Sequence, residues 1–229
     1  AFGFGYPQYS FVPRISPYYW EGADEAAVKY DPQAAADLLD SIDYVDRDGD
    51  GIREDPDGNR IALELVTNSG NREREAIATL FAQEASAVGL EVTAKPIDFN
   101  ALVGQLTSSY DWELVVIGLT GSIDPISGVN GYPSDGALHM IEPRQESPRR
   151  DWEQRADEAW RTANFTTDEE QRKEGWQTLQ EIWIEELPWV FTYNAAMMHG
   201  YVNQLGNIYP HPIEDYDWEG ILHRVYIAE

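Results

Sequence analysis

With 229 residues, 42% of them hydrophobic, and 8 Trp, 13 Tyr and 7 Phe, the chain can bury a sizeable core, which excludes a disordered polymer. Its 41 Asp plus Glu against 16 Lys plus Arg give a formal charge of −25, which repels phosphate backbones and anionic bilayers, so nucleic acid is excluded as a partner. Cysteine is absent, so disulfides and thiolate metal sites are excluded as well.

Only Lys29, Lys95 and Lys173 are lysines. A lysine-poor acidic surface fits work in high salt, where screening removes self-repulsion; arginine-favouring codon usage accounts for it equally. No run of 18 apolar residues occurs, and the start lacks the basic-then-apolar order of a signal peptide, so an export signal is expected outside this chain.

In chain order, residues 1–30 are aromatic and proline-rich without periodicity, a strip that must pack on the rest of the chain or on a body beyond it. Asp31-Pro32 marks a helix start, with Asp as N-cap and Pro at the first helical position. Ala35, Leu38, Leu39 and Ile42 form its apolar face. Residues 61–66 alternate as a strand. A helix follows from about Asn71 to Val88, with Ile77, Leu80, Phe81, Ala85 and Val88 at helical spacing and Gly89 as terminator. Residues 91–97 alternate again, and Asp98 caps a short helix carrying Phe99, Leu102, Val103 and Leu106.

Leu114-Val-Val-Ile117 is short, uninterrupted and largely β-branched, the pattern of a strand buried on both faces. The order β-α-β-α-β implies a sheet with helices on its faces. After a polar loop, helices are expected over 151–164 and from a Thr167-x-x-Glu170 capping box to Pro188. Trp152, Trp160, Trp176 and Trp183 fall on their core faces. Residues 189–193 read as a strand, and 200–229 repeat the aromatic, aperiodic style of the start.

Two segments carry candidate chemistry. Gly118, Thr120, Gly121 and Ser122 present amides and hydroxyls with little bulk at the carboxyl end of a strand, where α/β proteins hold small ligands; Asn130 and Asn71 extend the candidate set. Asn71 or Ser69 is equally placed to cap the helix that follows. Asp46, Asp48 and Asp50 stand at positions 1, 3 and 5 of a calcium-type loop, with Gly51 at 6, the Ile52 carbonyl at 7 and Asp57 at 12. The alternative is an acidic turn between helix and strand. His139, His199, His211 and His223 lack metal-ligand spacing and read as surface or loop residues, and no nucleophile elbow is present.

Tyr30-Asp31-Pro32 with AADLLD, the DRDGDGIRED turn, LVTNSGNREREAIATLFAQEASAVGLEV, PIDFNALVGQL, YDWELVVIGLTG and DEEQRKEGWQTLQEIWIEELPWVFTY follow one another in an order and spacing that resemble the C-terminal half of the family 5 extracellular solute-binding proteins. GLTGSIDP with Gly128-Val-Asn130 resembles the peptide branch. The resemblance implies a periplasmic-binding-protein-like lobe of class II type, a mixed sheet flanked by helices with extended hinge segments at both ends. It implies a division into 1–30 as a strip toward the first lobe, 31–195 as the ligand-binding lobe and 196–229 as a return segment. It further implies a non-enzymatic, periplasmic or extracellular receptor of an ABC importer, lipid-anchored through a preceding segment. Its partners would be a peptide-like solute, a first lobe of the same protein and a membrane permease, with no cofactor beyond a structural calcium ion. Where peptide receptors of the family place an acidic residue to pair with the peptide amino terminus, this chain has Gly121 or Ser122, and the nearest acid is Asp124. Two other classes stay open on residues alone: an acidic secreted hydrolase using a carboxylate pair, and an interaction module docking through its aromatic ends.

Overall fold

A computed structural model describes residues 5–119, 121–128, 130–196, 200–208 and 222–227. The described elements run β1 (Gly5–Pro7), α1 (Ala23–Ala26), α2 (Pro32–Ser41), β2 (Ala62–Asn68), α3 (Arg72–Ala87), β3 (Glu91–Ile97), α4 (Phe99–Gly104), a π turn (Gln105–Ser109), β4 (Leu114–Val116), a 3-10 turn (Pro125–Gly128), α5 (Asp151–Phe165), α6 (Glu169–Glu186), β5 (Tyr193–Ala195), β6 (Leu205–Gly206), a second 3-10 turn (Leu222–Arg224) and β7 (Tyr226–Ile227). No described helix is long and apolar enough to cross a membrane. The chain divides into two compact units: Val28–Leu119 with Ala137–Arg144, built on the sheet, and Ala1–Ala27, Thr120–Gly136 and Gln145–Glu229, built on α5 and α6. They cut the chain differently from the expected division at 30 and 195.

In the sheet unit, three parallel strands lie in the order β3-β2-β4, with Leu65 opposite Leu114 and Val66 opposite Lys95. Among the described residues antiparallel pairing is confined to the two-stranded ribbons β1-β5 and β6-β7 and to isolated bridges. Parallel neighbours require crossovers, and α3 and α4 supply them. The central strand β2 buries Leu65, Val66 and Thr67, and α4 with the π turn lays Leu102 and Leu106 on Val66. Residues 114–116, expected to be buried on both faces, are half-buried, because among the described residues β4 is an edge strand with a neighbour on one side only. Pro96 lies on the opposite edge strand β3, where a missing N–H is tolerated.

The helix caps follow the sequence closely. Asp31 accepts the Ala34 N–H, Asn71 the Arg74 N–H, and Asp98 those of Asn100 and Ala101. Gly89, at φ +85°, ends α3 in the left-handed region. The apolar faces differ from expectation. No residue of α2 is buried, Leu38 is 65% exposed, and Leu80 and Phe81 of α3 are 57% and 48% exposed. Helical spacing identifies a stripe, but the three-stranded sheet is narrow and Ala78 and Ala85 take the buried positions on α3. His139, expected as a surface or loop residue, lies in a loop and is buried.

In the helical unit α5 packs along α6. A Cβ at Gly175 would lie 2.7 Å from the Ala163 nitrogen and 2.9 Å from the Ala159 oxygen, so glycine there lets the two backbones approach. Trp176 and Trp183 are fully buried with Tyr132, Leu179 and Ile182, while Trp152 and Trp160 pack against that cluster partly buried. The N-terminal strip packs here on its own chain: the Phe11 ring lies 4.3 Å from Tyr132 and 5.4 Å from Trp183, and Val12 is buried. The expected Thr167 cap is replaced by Asp168, whose carboxylate accepts the Glu170 and Gln171 N–H groups. Charge-assisted capping outcompetes a hydroxyl one residue earlier. Leu187 in the left-handed region closes α6 before Pro188. Strand pairing starts at Tyr193, not at 189, because Trp189 and Phe191 turn into the aromatic cluster. Parts of the expected return segment 196–229, with His199 and His211, lie outside the described residues.

Candidate functional site

The carboxyl ends of β2 and β4 and the start of α3 meet in the sheet unit. Thr67 is fully buried and its hydroxyl donates to the Val116 carbonyl at 2.8 Å, pinning β2 to β4 near their carboxyl ends. In the loop between β2 and α3 the backbone amides are used internally. The Ser69 N–H donates to the Ile97 carbonyl at 2.7 Å, and the Gly70 N–H to the Glu75 carboxylate at 2.8 Å. Asn71 caps α3. What faces Gly118 is a residue that the sequence did not single out. Arg74 donates from Nη1 to the Asn68 side-chain oxygen at 2.6 Å, and a Cβ at Gly118 would sit 2.6 Å from its Nη2. A signal was available: helical side chains lean toward the N-terminus, so the third residue of a helix entered from a strand reaches back over that strand's end.

Gly121, Ser122 and Asn130 belong to the helical unit, and Thr120 lies outside the described residues. Gly121 is exposed with nothing within 4 Å of a Cβ built on it, Ser122 is half-buried, and Asn130 is exposed. The Ile123 carbonyl accepts the Ser16 hydroxyl at 2.5 Å, and the Ser134 N–H and hydroxyl both donate to Asp157 at 2.8 Å. Asp124 is held by Arg172 through both oxygens, at 2.9 and 2.7 Å, and accepts the Ile126 N–H. The Arg172 guanidinium in turn lies 4.9 Å from the centre of the Tyr18 ring. Asp124 is therefore already neutralised within its own unit, and an ammonium group finds no unpaired carboxylate there.

The acidic turn gathers the carboxylate oxygens of Asp46, Asp48, Asp50 and Glu54 within 4.8 Å of one another. Asp57, expected as the twelfth-position ligand, is not in that group. Asp55 accepts the Asp57 and Asn59 N–H groups, so residues 55–59 form a turn of their own, and no helix follows to carry position 12 back. The fourth carboxylate of the group is Glu54, at position 9, whose backbone bridges to Val45 and Arg60. The turn holds itself as well: Asp46 accepts the Gly49 and Gly51 N–H groups, Asp48 that of Asp50, Asp50 that of Ile52 at 2.8 Å, and Glu54 that of Arg47. The Ile52 amide and the Arg60 guanidinium hold the Asp50 carboxyl below the usual range. Four hard oxygen donors fit a calcium-sized cation, which would share Asp50 with Arg60.

Of two surface hollows, one, of about 430 Å³, lies between α2, the end of α3 and the acidic turn, its lining including Asp40, Asp46, Gly51 and Arg53. The other, of about 490 Å³, is lined by facing residues of α5 and α6, including Glu158, Glu174 and Glu181.

A parallel sheet with helical crossovers makes the sheet unit an α/β lobe, and the comparisons give its family. Residues 1–137 match the model of the bacterial extracellular solute-binding proteins, family 5, middle region, and the chain belongs to that family. A probable ABC transporter-binding protein of Deinococcus radiodurans is 32% identical over 152 residues, 61% of this chain and 25% of the relative. The structure of the oligopeptide-binding protein AppA of Bacillus subtilis in complex with a nonapeptide superposes with a TM-score of 0.77 at 22% identity, covering 99% of this chain and 43% of that one. A mannohexaose-bound periplasmic oligopeptide-binding protein of Thermotoga maritima gives a TM-score of 0.71 at 21% identity, over 89% of this chain and 39% of that one. The fold is thus that of a periplasmic binding protein lobe, and the chain spans less than half the length of these relatives.

Proposed function

We propose that this chain is the C-terminal lobe of the solute receptor of an ABC importer, an exported and lipid-anchored protein that grips a peptide-like solute without chemistry and delivers it to a membrane permease. The observation that carries this is the match of 99% of the chain to 43% of a peptide-bound oligopeptide-binding protein, together with the family membership. Such receptors would trap ligand by hinge closure between two lobes. Gly118, Thr120, Gly121, Ser122 and Asn130 are the positions proposed to face the solute, their amides and hydroxyls taking its main-chain groups while ordered water tolerates variable side chains. Asn71 contributes as the cap that fixes α3. Mass spectrometry of solute released on denaturing the full-length polypeptide tests the reading. Peptides are the expected release, and turnover of a chromogenic glycoside with no bound solute would overturn it.

A further inference from the structure

Residues 121–128 contain a single acid, Asp124, two positions after Ser122. With 16 Lys plus Arg against 41 Asp plus Glu, most acids of the chain have no cation of their own, yet Asp124 is gripped on both oxygens. Arg172, in the first turn of α6, donates to them from Nη2 at 2.9 and 2.7 Å. The guanidinium is itself held: its side chain is 24% exposed, and it lies 4.9 Å from the centre of the Tyr18 ring. Tyr18 is fixed in turn, because its carbonyl accepts the Gln180 amide at 2.9 Å. Gln180 is fully buried and also accepts the Ser10 hydroxyl and the Trp20 N–H. From the same N-terminal strip, the Ser16 hydroxyl donates to the Ile123 carbonyl at 2.5 Å. The loop is therefore tied at Ile123 to the strip and at Asp124 to α6, all within the helical unit, while Gly121 stays exposed and uncrowded.

Resting on the solute-receptor reading, we infer that Arg172 is a positioning residue that holds the loop of Gly121 and Ser122 in place and masks its acid, so that the receptor accepts amino-blocked peptides as readily as free-amine ones. The Asp124 side chain is 41% exposed, so without a partner its charge would act on whatever lies against the loop. A planar guanidinium cancels that charge and fixes the carboxylate, which the flexible point charge of a lysine does less well. What the loop then offers a solute is neutral: amides and a hydroxyl, with no pull on an ammonium group. Arg172 acts through Asp124 and not on the solute itself.

The test is competition binding to the full-length polypeptide of an equimolar pool of pentapeptides in free-amine and N-acetylated forms, with the bound fraction read by mass spectrometry. Wild type is expected to retain the two forms within about twofold of each other. Arg172→Gln bares Asp124 and should favour the free amines by about fivefold, the scale of a partly exposed charge pair. Tyr18→Leu, which removes the ring beneath the guanidinium without changing a charge, should shift the ratio the same way by less. Asp124→Asn added to Arg172→Gln should restore parity, and Arg172→Lys should keep most of it, neither of which a purely structural role of Arg172 would produce. Melting curves establish which variants are folded; should Arg172→Gln not melt cooperatively, the shift in Tyr18→Leu decides. A wild type that already favours free amines, or parity in a folded Arg172→Gln, overturns the inference. Retention of a non-peptide solute with neither pentapeptide form bound overturns it too and leaves the receptor reading standing. No retained solute of any kind removes both.

Discussion

Glu153 shows how a single carboxylate can hold a helix start inside the molecule. It is 1% exposed, yet its Oε2 accepts the Arg149 and Arg150 N–H groups at 2.7 and 3.0 Å, and its Oε1 accepts the Arg150 guanidinium at 3.0 Å. Burial alone would raise its pKa. The two amides and Arg150 together outweigh that and hold it below the usual carboxylate range. A depressed folded value means that its stabilisation is fully present above the unfolded value of about 4.3 and is lost as pH falls through the folded one. Glu153→Gln puts an amide donor where two backbone donors need acceptors, and should cost roughly 1–3 kcal/mol at pH 7. Denaturant melts of both proteins at pH 7 and pH 3 check this. The gap should narrow at pH 3, and a gap of equal size at both pH values would mean that the charge plays no part.

Elements were legible in the sequence where local chemistry alone decides them. Asp31, Asn71 and Asp98 cap helices because a short acceptor before a periodic run satisfies amides that otherwise lack partners, whatever the rest of the chain does. Burial was less legible, because it depends on neighbours. Leu114-Val-Val reads as a buried strand but lies at an edge, and Leu80 and Phe81 keep helical spacing while remaining exposed. The small residue Gly118 was legible as the end of β4, but not that Arg74 stands against it, since the pair meets only after strand and helix fold back on each other. The acidic turn was legible as carboxylate spacing, but that Glu54 lies with Asp46, Asp48 and Asp50 while Asp57 does not depended on where the chain turned next. For that turn, a cation gathering four carboxylates relieves their mutual repulsion, so 5 mM calcium should raise the melting temperature by several degrees more than magnesium does. Asp46→Asn with Asp48→Asn should abolish the difference, and an identical response to the two ions would assign the turn to its own hydrogen bonds.

For the molecule as a whole, the dominant fact is its charge of −25 at a sequence pI near 4.3. The described ion pairs do little to offset it. Arg14–Asp24, Arg60–Glu91 and Lys95–Glu64 all join side chains more than a third exposed, and pairs of that kind contribute about 0–1 kcal/mol each. Most of the acids therefore repel one another across the surface in the folded state and less so in the expanded chain, which lowers stability at low ionic strength. Screening shortens the reach of that repulsion from about 10 Å at 0.1 M salt to about 3 Å at 1 M. Because neighbouring carboxylates on one helix lie only about 5–6 Å apart, as at Glu169 with Lys173 flanked by Glu170 and Glu174, relief is incomplete at physiological salt and continues well into the molar range. The melting temperature should accordingly climb between 0.1 and 2 M sodium chloride, and sulfate and chloride salts of equal ionic strength should be compared to separate screening from strengthened apolar burial. A curve flat above about 0.2 M would show that repulsion between distant charges is all that mattered, and would assign the lysine-poor composition to codon usage.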